Sequence, residues 1–178
     1  MDRNVWQARA TLSLCFLSAI AVAAACVLAI PSRASSSSRA SYCEAGDIVI
    51  WLKSRGEPGV GSSWYTLGLT NLSRTRCRLH GYPGVSAVDL LGRQLGSAAA
   101  RSRRSQVRTV FVEPEGSAQF LLQVNDPGFF PRAACGPTTA AGLRVYLPNS
   151  TAASIVPVPL GACSRSGPAF LHTSAVTN

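Results

Sequence analysis

Residues 64–71, Trp-Tyr-Thr-Leu-Gly-Leu-Thr-Asn, decide the fold. Tyr65, Leu67 and Leu69 alternate with Trp64, Thr66, Gly68 and Thr70, and a period of two places these sets on opposite faces of an extended strand. One face is core and the other is wetter. Ala118, Phe120, Leu122 and Val124 repeat the pattern against Ser117, Gln119 and Gln123, with Leu121 as the exception. Leu143, Val145 and Leu147 oppose Arg144 and Tyr146 in the same way.

Working outward, Asp47–Lys53, Val85–Leu90 and Val107–Glu113 are runs of strand length rich in β-branched residues. Glu113-Pro114-Glu115-Gly116 reads as a turn, with proline presetting φ and glycine accepting φ > 0, so it joins two strands antiparallel. Pro148-Asn149-Ser150 turns the next hairpin, whose return strand carries Pro157 and Pro159. Proline cannot donate to a ladder, so that strand belongs at an edge or ends early. A last short strand runs from Phe170 to Val176. No segment sustains apolar residues at helical spacing with caps. Eight or nine short strands with frequent turns predict an all-β fold, an Ig-like antiparallel β-sandwich, with a closed barrel as runner-up.

The start of the chain has a different composition. Ala10–Ile30 is an uncharged run of 21 residues, entered through Arg3 and Arg9 and left through Pro31-Ser32-Arg33-Ala34. A basic start, an apolar run and a small-x-small exit make a secretory signal. The run is longer than the usual ~7–15-residue signal core and close to the ~20 residues that span a bilayer. Cleavage after Ala34 or Ala40 is the leading reading, with a retained signal anchor and lipidation at Cys26 as alternatives. The expected organisation is a signal peptide or anchor over 1–34, a Ser-rich linker over 35–42 and one domain over 43–178. Its location is then secreted, or tethered to the outer face of the cytoplasmic membrane by an N-terminal segment that engages it.

Export sets the reading of the cysteines. Beyond the leader stand Cys43, Cys77, Cys135 and Cys163, an even number with no Cys-x-x-Cys and no histidine beside a cysteine pair. Two disulfides are expected rather than a metal site. Four cysteines allow three connectivities. Cys135 and Cys163 flank the hairpin 143–158, so its closure brings them together and leaves Cys43 for Cys77.

A family resemblance enters at residues 64–96. Trp64–Asn71, then Arg76-Cys77-Arg78-Leu79-His80-Gly81-Tyr82-Pro83-Gly84-Val85, then Asp89 and Gly92, resemble the core signature of the DUF4232 family. The order continues through Arg101, Pro114-x-Gly116-Ser117-Ala118, Cys135-x-Pro137, Ala141–Pro148 and Ala162-Cys163, covering about 43–176. The resemblance implies an exported actinobacterial domain of unknown function, secreted, lipid-anchored or tethered by one membrane helix. It implies no catalytic residue.

Enzyme motifs are missing: no His-Glu-x-x-His, Gly-x-Ser-x-Gly or Ser-x-x-Lys occurs, and Lys53, the single lysine, lies in a strand run. No cofactor or metal is expected. The rival reading is a hydrolase centred on His80 with Asp89 or a serine. Asn71 beside Ser73 can bond its own backbone and begin a turn, while Gly81, Pro83 and Gly84 fix a corner around Tyr82. Asn71-Leu72-Ser73 and Asn149-Ser150-Thr151 match the N-glycosylation pattern by coincidence.

Charge supplies the remaining candidates. Residues 35–178 carry 14 Arg/Lys against 7 Asp/Glu, which favours anionic partners. Arg74, Arg76 and Arg78 alternate, so in an extended segment they point outward together. Arg101, Arg103, Arg104 and Arg108 populate a Ser- and Ala-rich loop. If the two groups meet, they can hold phosphate or carboxylate bidentately. The competing reading is a solvated loop plus a charge-protected edge strand. Trp64 and Tyr82 are candidates for a ligand-facing aromatic surface, with core packing as the alternative. The expected function is an exported cell-envelope binding module for anionic polymer or lipid headgroups, with nucleic acid unexpected as partner; a non-binding spacer is the third reading.

Overall fold

The computed structural model describes residues 40–178 apart from Ser105. The leader, most of the Ser-rich linker, and the readings of cleavage, anchoring and Cys26 lipidation lie outside the described residues.

In chain order the strands are β1 (Ile48–Gly59), β2 (Ser62–Asn71), β3 (Cys77–His80), β4 (Gly84–Val88), β5 (Gln94–Leu95) and β6 (Ala100–Arg101). They continue as β7 (Thr109–Val112), β8 (Ser117–Asn125), β9 (Pro137–Tyr146), β10 (Ala153–Cys163) and β11 (Leu171–Thr173). Three helical turns, Ala45–Asp47, Pro127–Phe129 and Arg132–Cys135, complete the described elements. One sheet has the order β1-β2-β8-β11-β6, a second has β10-β9-β4-β5, and β3 with β7 forms a two-stranded ribbon. Nine of the eleven strands exceed two residues, which matches the expected number. One pair departs from the antiparallel rule: β11 runs parallel to β6.

The sandwich follows from the alternation. Leu67 and Leu69 of β2 and Phe120 and Leu122 of β8 are fully buried, as are Leu143 and Val145 of β9. Each such side chain stabilises the fold by about 1.5–3 kcal/mol through lost apolar surface. Leu121, the exception in its strand, points out of the other face and is 44% exposed. Both expected disulfides are present, Cys43–Cys77 and Cys135–Cys163.

Where strand lengths differ from expectation, sheet position explains the difference. β1 continues past Lys53 to Gly59 despite Pro58, with register shifts between Leu52 and Ser54 and between Ser54 and Glu57. β10 carries Pro157 and Pro159 across a register shift between Pro157 and Leu160. Both are terminal strands of their sheets. An edge strand can leave amides unpaired, so proline interrupts neither. The Glu113–Gly116 turn also works differently from its reading. The positive φ of 62° belongs to Glu115. Gly116 is needed for close approach, because a Cβ there would lie 2.9 Å from the Glu113 carbonyl oxygen, which accepts the Gly116 amide at 2.9 Å.

Candidate functional site

The β3–β7 ribbon displays the first arginine group. Its register pairs Cys77 with Val112, Arg78 with Phe111, Leu79 with Val110 and His80 with Thr109. Cys77, Leu79, Val110 and Val112 are buried, so the alternate positions face outward. The Arg78 guanidinium stacks 4.2 Å from the Tyr42 ring centroid, and Arg76 stacks 4.2 Å from that of Phe111. Arg76 Nε also donates to Glu113 Oε1 at 2.9 Å. The Nε of Arg78 is buried with no hydrogen-bond partner among the described residues, which marks this arginine as packing as much as charge. Arg74 lies exposed in the bend between β2 and β3.

That end of the ribbon is organised by Asn71, which is fully buried. Its Nδ2 donates to the carbonyls of Thr75 at 2.9 Å and Val112 at 3.1 Å. Its Oδ1 accepts from the Ser73 amide at 3.0 Å and the Ser73 hydroxyl at 2.8 Å. The expected Asn–Ser turn is therefore formed, and a side chain so enclosed is closed to glycosylation. Backbone bonds from Leu72 to Asp47 and from Glu115 to Asn71 bring acidic residues to the same corner. Glu113 pairs with Arg76 there, while Arg74 has no ion pair among the described residues.

The second group lies beyond the other end of the ribbon. Arg101 closes β6, Arg103 and Arg104 follow in an exposed turn, and Arg108 precedes Thr109, the partner of His80. Among the described residues the ion pairs are Arg76–Glu113 and Arg93–Asp89, so none of these four arginines is neutralised. Arg108 Nη2 donates to Gln106 Oε1 at 2.7 Å. Arg101 stands 5.8 Å from the Tyr82 ring centroid, and the Tyr82 hydroxyl donates to the Ser102 carbonyl at 3.1 Å. Tyr82 thus finds the backbone partner its corner implies, and it supports the arginine loop. The two arginine groups share one ribbon but occupy opposite ends of it. Four residues of strand, roughly 13 Å, separate the level of Arg76 from that of His80.

The other sequence candidates scatter. His80 Nδ1 lies 3.2 Å from Thr109 Oγ1. Asp89 is engaged within its own turn, accepting from the Leu91 and Arg93 amides and from Arg93 Nε at 2.9, 2.8 and 2.7 Å. The Arg93 side-chain hydrogen bond is the main cause that holds its carboxyl below the usual range. Trp64 is 40% exposed on the outer face of the five-stranded sheet. Tyr82 lies in the corner between β3 and β4 and bonds the Ser102 carbonyl just after β6, off the sheet that carries Trp64.

Trp51 was not among the sequence candidates. It pairs with Gly68 and is 40% exposed on the same face as Trp64. Its signal was available: Val49, Trp51 and Lys53 alternate with Ile48, Ile50 and Leu52. Tyr42 and Phe111, the stacking partners of the arginines, also carried no sequence mark.

No curated protein and no solved structure matches the chain. Residues 43–177 match the family described as "Domain of unknown function (DUF4232)". That match spans the ribbon, both sheets and both disulfides, and the chain belongs to the DUF4232 family.

Proposed function

We propose that this protein is an exported cell-envelope binding module that holds anionic envelope components, polymer or lipid headgroups, through Arg101, Arg103, Arg104 and Arg108. One observation carries the reading: these four arginines share a loop region without a carboxylate partner among the described residues. Guanidinium groups without a carboxylate partner can make bidentate contact with phosphate or carboxylate. Arg76 is subsidiary, since Glu113 pairs with it, Arg78 stacks on Tyr42 and serves the ribbon, and Arg74 stands apart from the other group at the far end. The leader and two disulfides support action outside the cytoplasm. Strand-end loops on a rigid sandwich are where binding residues concentrate.

The test is binding of the full chain to phosphatidylglycerol vesicles and to soluble poly(glycerol phosphate) at rising salt. Replacing Arg101, Arg103, Arg104 and Arg108 by Gln lowers affinity at least tenfold, and salt weakens what remains. Arg74→Gln changes affinity less than threefold. Affinity retained after both arginine groups are neutralised overturns the reading.

A further inference from the structure

The outer face of the five-stranded sheet is a second surface, formed by residues that do not belong to the arginine groups. Register defines its rows. Glu57, Trp64, Gln123 and His172 lie side by side across β1, β2, β8 and β11. Ser54, Thr66 and Leu121 form the next row, and Trp51, Gly68 and Gln119 the third. Trp51 and Trp64 are both 40% exposed.

The Trp51 indole is preorganised. A Cβ added to Gly68 would meet Trp51 Cε2 at 2.5 Å, so the ring lies on the strand where only glycine leaves room. Its Nε1 donates to Thr70 Oγ1 at 3.0 Å, and Thr70 Oγ1 lies 2.8 Å from Ser117 Oγ. The ring is thus held from below and from its edge while its outer side meets solvent. Trp64 stands four residues farther along β2 and one strand over, roughly 14 Å away. Ser54 and Thr66 form the row between the two tryptophans on β1 and β2.

The polar groups around them are fixed as well. Lys53 Nζ donates to Gln119 Oε1 at 2.8 Å, and Gln123 Nε2 donates to Asn125 Oδ1 at 3.1 Å. Asn125 Nδ2 lies 3.4 Å from His172 Nε2. Gln123 and His172 thus bring an amide and an imidazole into the same row as Trp64.

Charge selects the ligand. Lys53 and Glu57, among the described side chains of this face, carry opposite charges, whereas residues 35–178 as a whole carry an excess of arginine. A polyanion gains nothing here that the arginine loop does not offer better. An apolar protein surface would bury the amide row without matching it. A neutral pyranose chain fits both features: its C–H faces stack on indole, and its hydroxyls both donate to and accept from amides. We propose that this face binds a linear neutral oligosaccharide or polysaccharide, with Trp51 and Trp64 as two stacking platforms several sugar rings apart. This site is independent of the anion-binding reading.

Trp51 and Trp64 are the only tryptophans beyond the leader, which holds Trp6. Emission from the full chain carrying Trp6→Phe therefore reports on this face alone. Linear neutral hexasaccharides of glucan, mannan and galactan type are titrated against it. At least one shifts the emission saturably. Trp64→Ala weakens that binding at least tenfold and Trp51→Ala at least fivefold, while Trp64→Phe keeps most of it. Replacing the loop arginines by Gln leaves it unchanged. Unfolding midpoints of the variants separate lost binding from lost fold. Absence of a saturable shift with every hexasaccharide overturns the proposal, as does equal affinity in Trp64→Ala. A dimer that dissociates in either alanine variant also overturns it, because the face is then covered by a second copy.

Discussion

The Asn71–Arg78 corner and the Arg101–Arg108 loop look alike as sequence: short, arginine-rich, threaded with Ser or Thr. In the structure the corner holds a buried asparagine, a disulfide cysteine, an ion pair and two guanidinium–ring stacks. Among the described residues of the loop, the Tyr82 hydroxyl bonds the Ser102 carbonyl, the Ser102 amide bonds the Thr173 carbonyl, a distant ring lies beneath Arg101 and Arg108 pairs with Gln106, with no carboxylate on any of the four arginines. The difference teaches that arginine count does not locate a binding surface. What matters is whether the charge is already used, by carboxylates and ring faces, or is left over. In the corner Arg76 and Arg78 are engaged by a carboxylate and by ring faces, whereas the loop arginines have no carboxylate partner among the described residues.

The largest expected effect tests whether the corner is structural. Cys43→Ser with Cys77→Ser opens a link across a sequence separation of 34. Chain entropy alone puts the loss at about 4 kcal/mol. Urea unfolding measures it against the loop variant with four Gln for Arg, which should stay within about 0.5 kcal/mol of the parent. A loop variant as damaged as the cysteine variant would erase the contrast.

Asn71→Ala comes next. It removes four hydrogen bonds at a fully buried site and strands the Val112 carbonyl inside the corner. A buried acceptor left alone costs about 1–3 kcal/mol, so a loss near 3 kcal/mol is expected from thermal or urea unfolding. Hydrogen exchange should show the opening concentrated at the ends of β3 and β7. Uniform loss of protection across both sheets would mean that Asn71 holds the whole sandwich and not only this corner.

These contrasts show what sequence carries and what it omits. Period-two alternation in 64–70 and 118–124 was enough for strands, core faces and sandwich, because local pattern and burial agree there. The disulfide pairing was legible because Cys135 and Cys163 flank a hairpin whose closure decides it. The edge position of β10 was legible, because Pro157 and Pro159 cannot donate to a ladder, but the strand ends were not: β10 runs on to Cys163 and β1 passes Pro58 to reach Gly59. Those lengths depend on the sheet order that makes both strands terminal. Site residues fared similarly. Trp64 was paired with Tyr82, with core packing as the alternative, but its companion on the face is Trp51, from a different strand. Tyr82 lies in the corner between β3 and β4, off the sheet that carries Trp64. Likewise, the partners that neutralise Arg76 and stack on Arg78 come from Glu113 and Tyr42, more than thirty residues off in each case. Side-chain alternation predicts which face a residue takes, and it is silent about what faces it.

The smallest expected effect is the sharpest probe of how the corner uses its arginines. Arg76 and Glu113 side chains are 50% and 62% exposed, so water and salt screen their attraction heavily. A double-mutant cycle with Arg76→Gln and Glu113→Gln should give a coupling below about 1 kcal/mol that falls toward zero in molar salt. The stack on Phe111 behaves differently, because ring contact includes apolar burial that salt does not screen. Arg76→Lys keeps the positive charge but loses the planar face that lies on the ring. It should therefore be destabilised by about 0.5–1 kcal/mol at any salt concentration. Measured together, the two variants divide Arg76 into a screened part and an unscreened one. A salt-sensitive Lys variant, or a coupling well above 1 kcal/mol, would mean that the carboxylate rather than the ring holds this arginine. Arg76 would then differ from the loop arginines chiefly by its acid, and adding a glutamate near Arg103 should make that arginine behave like it.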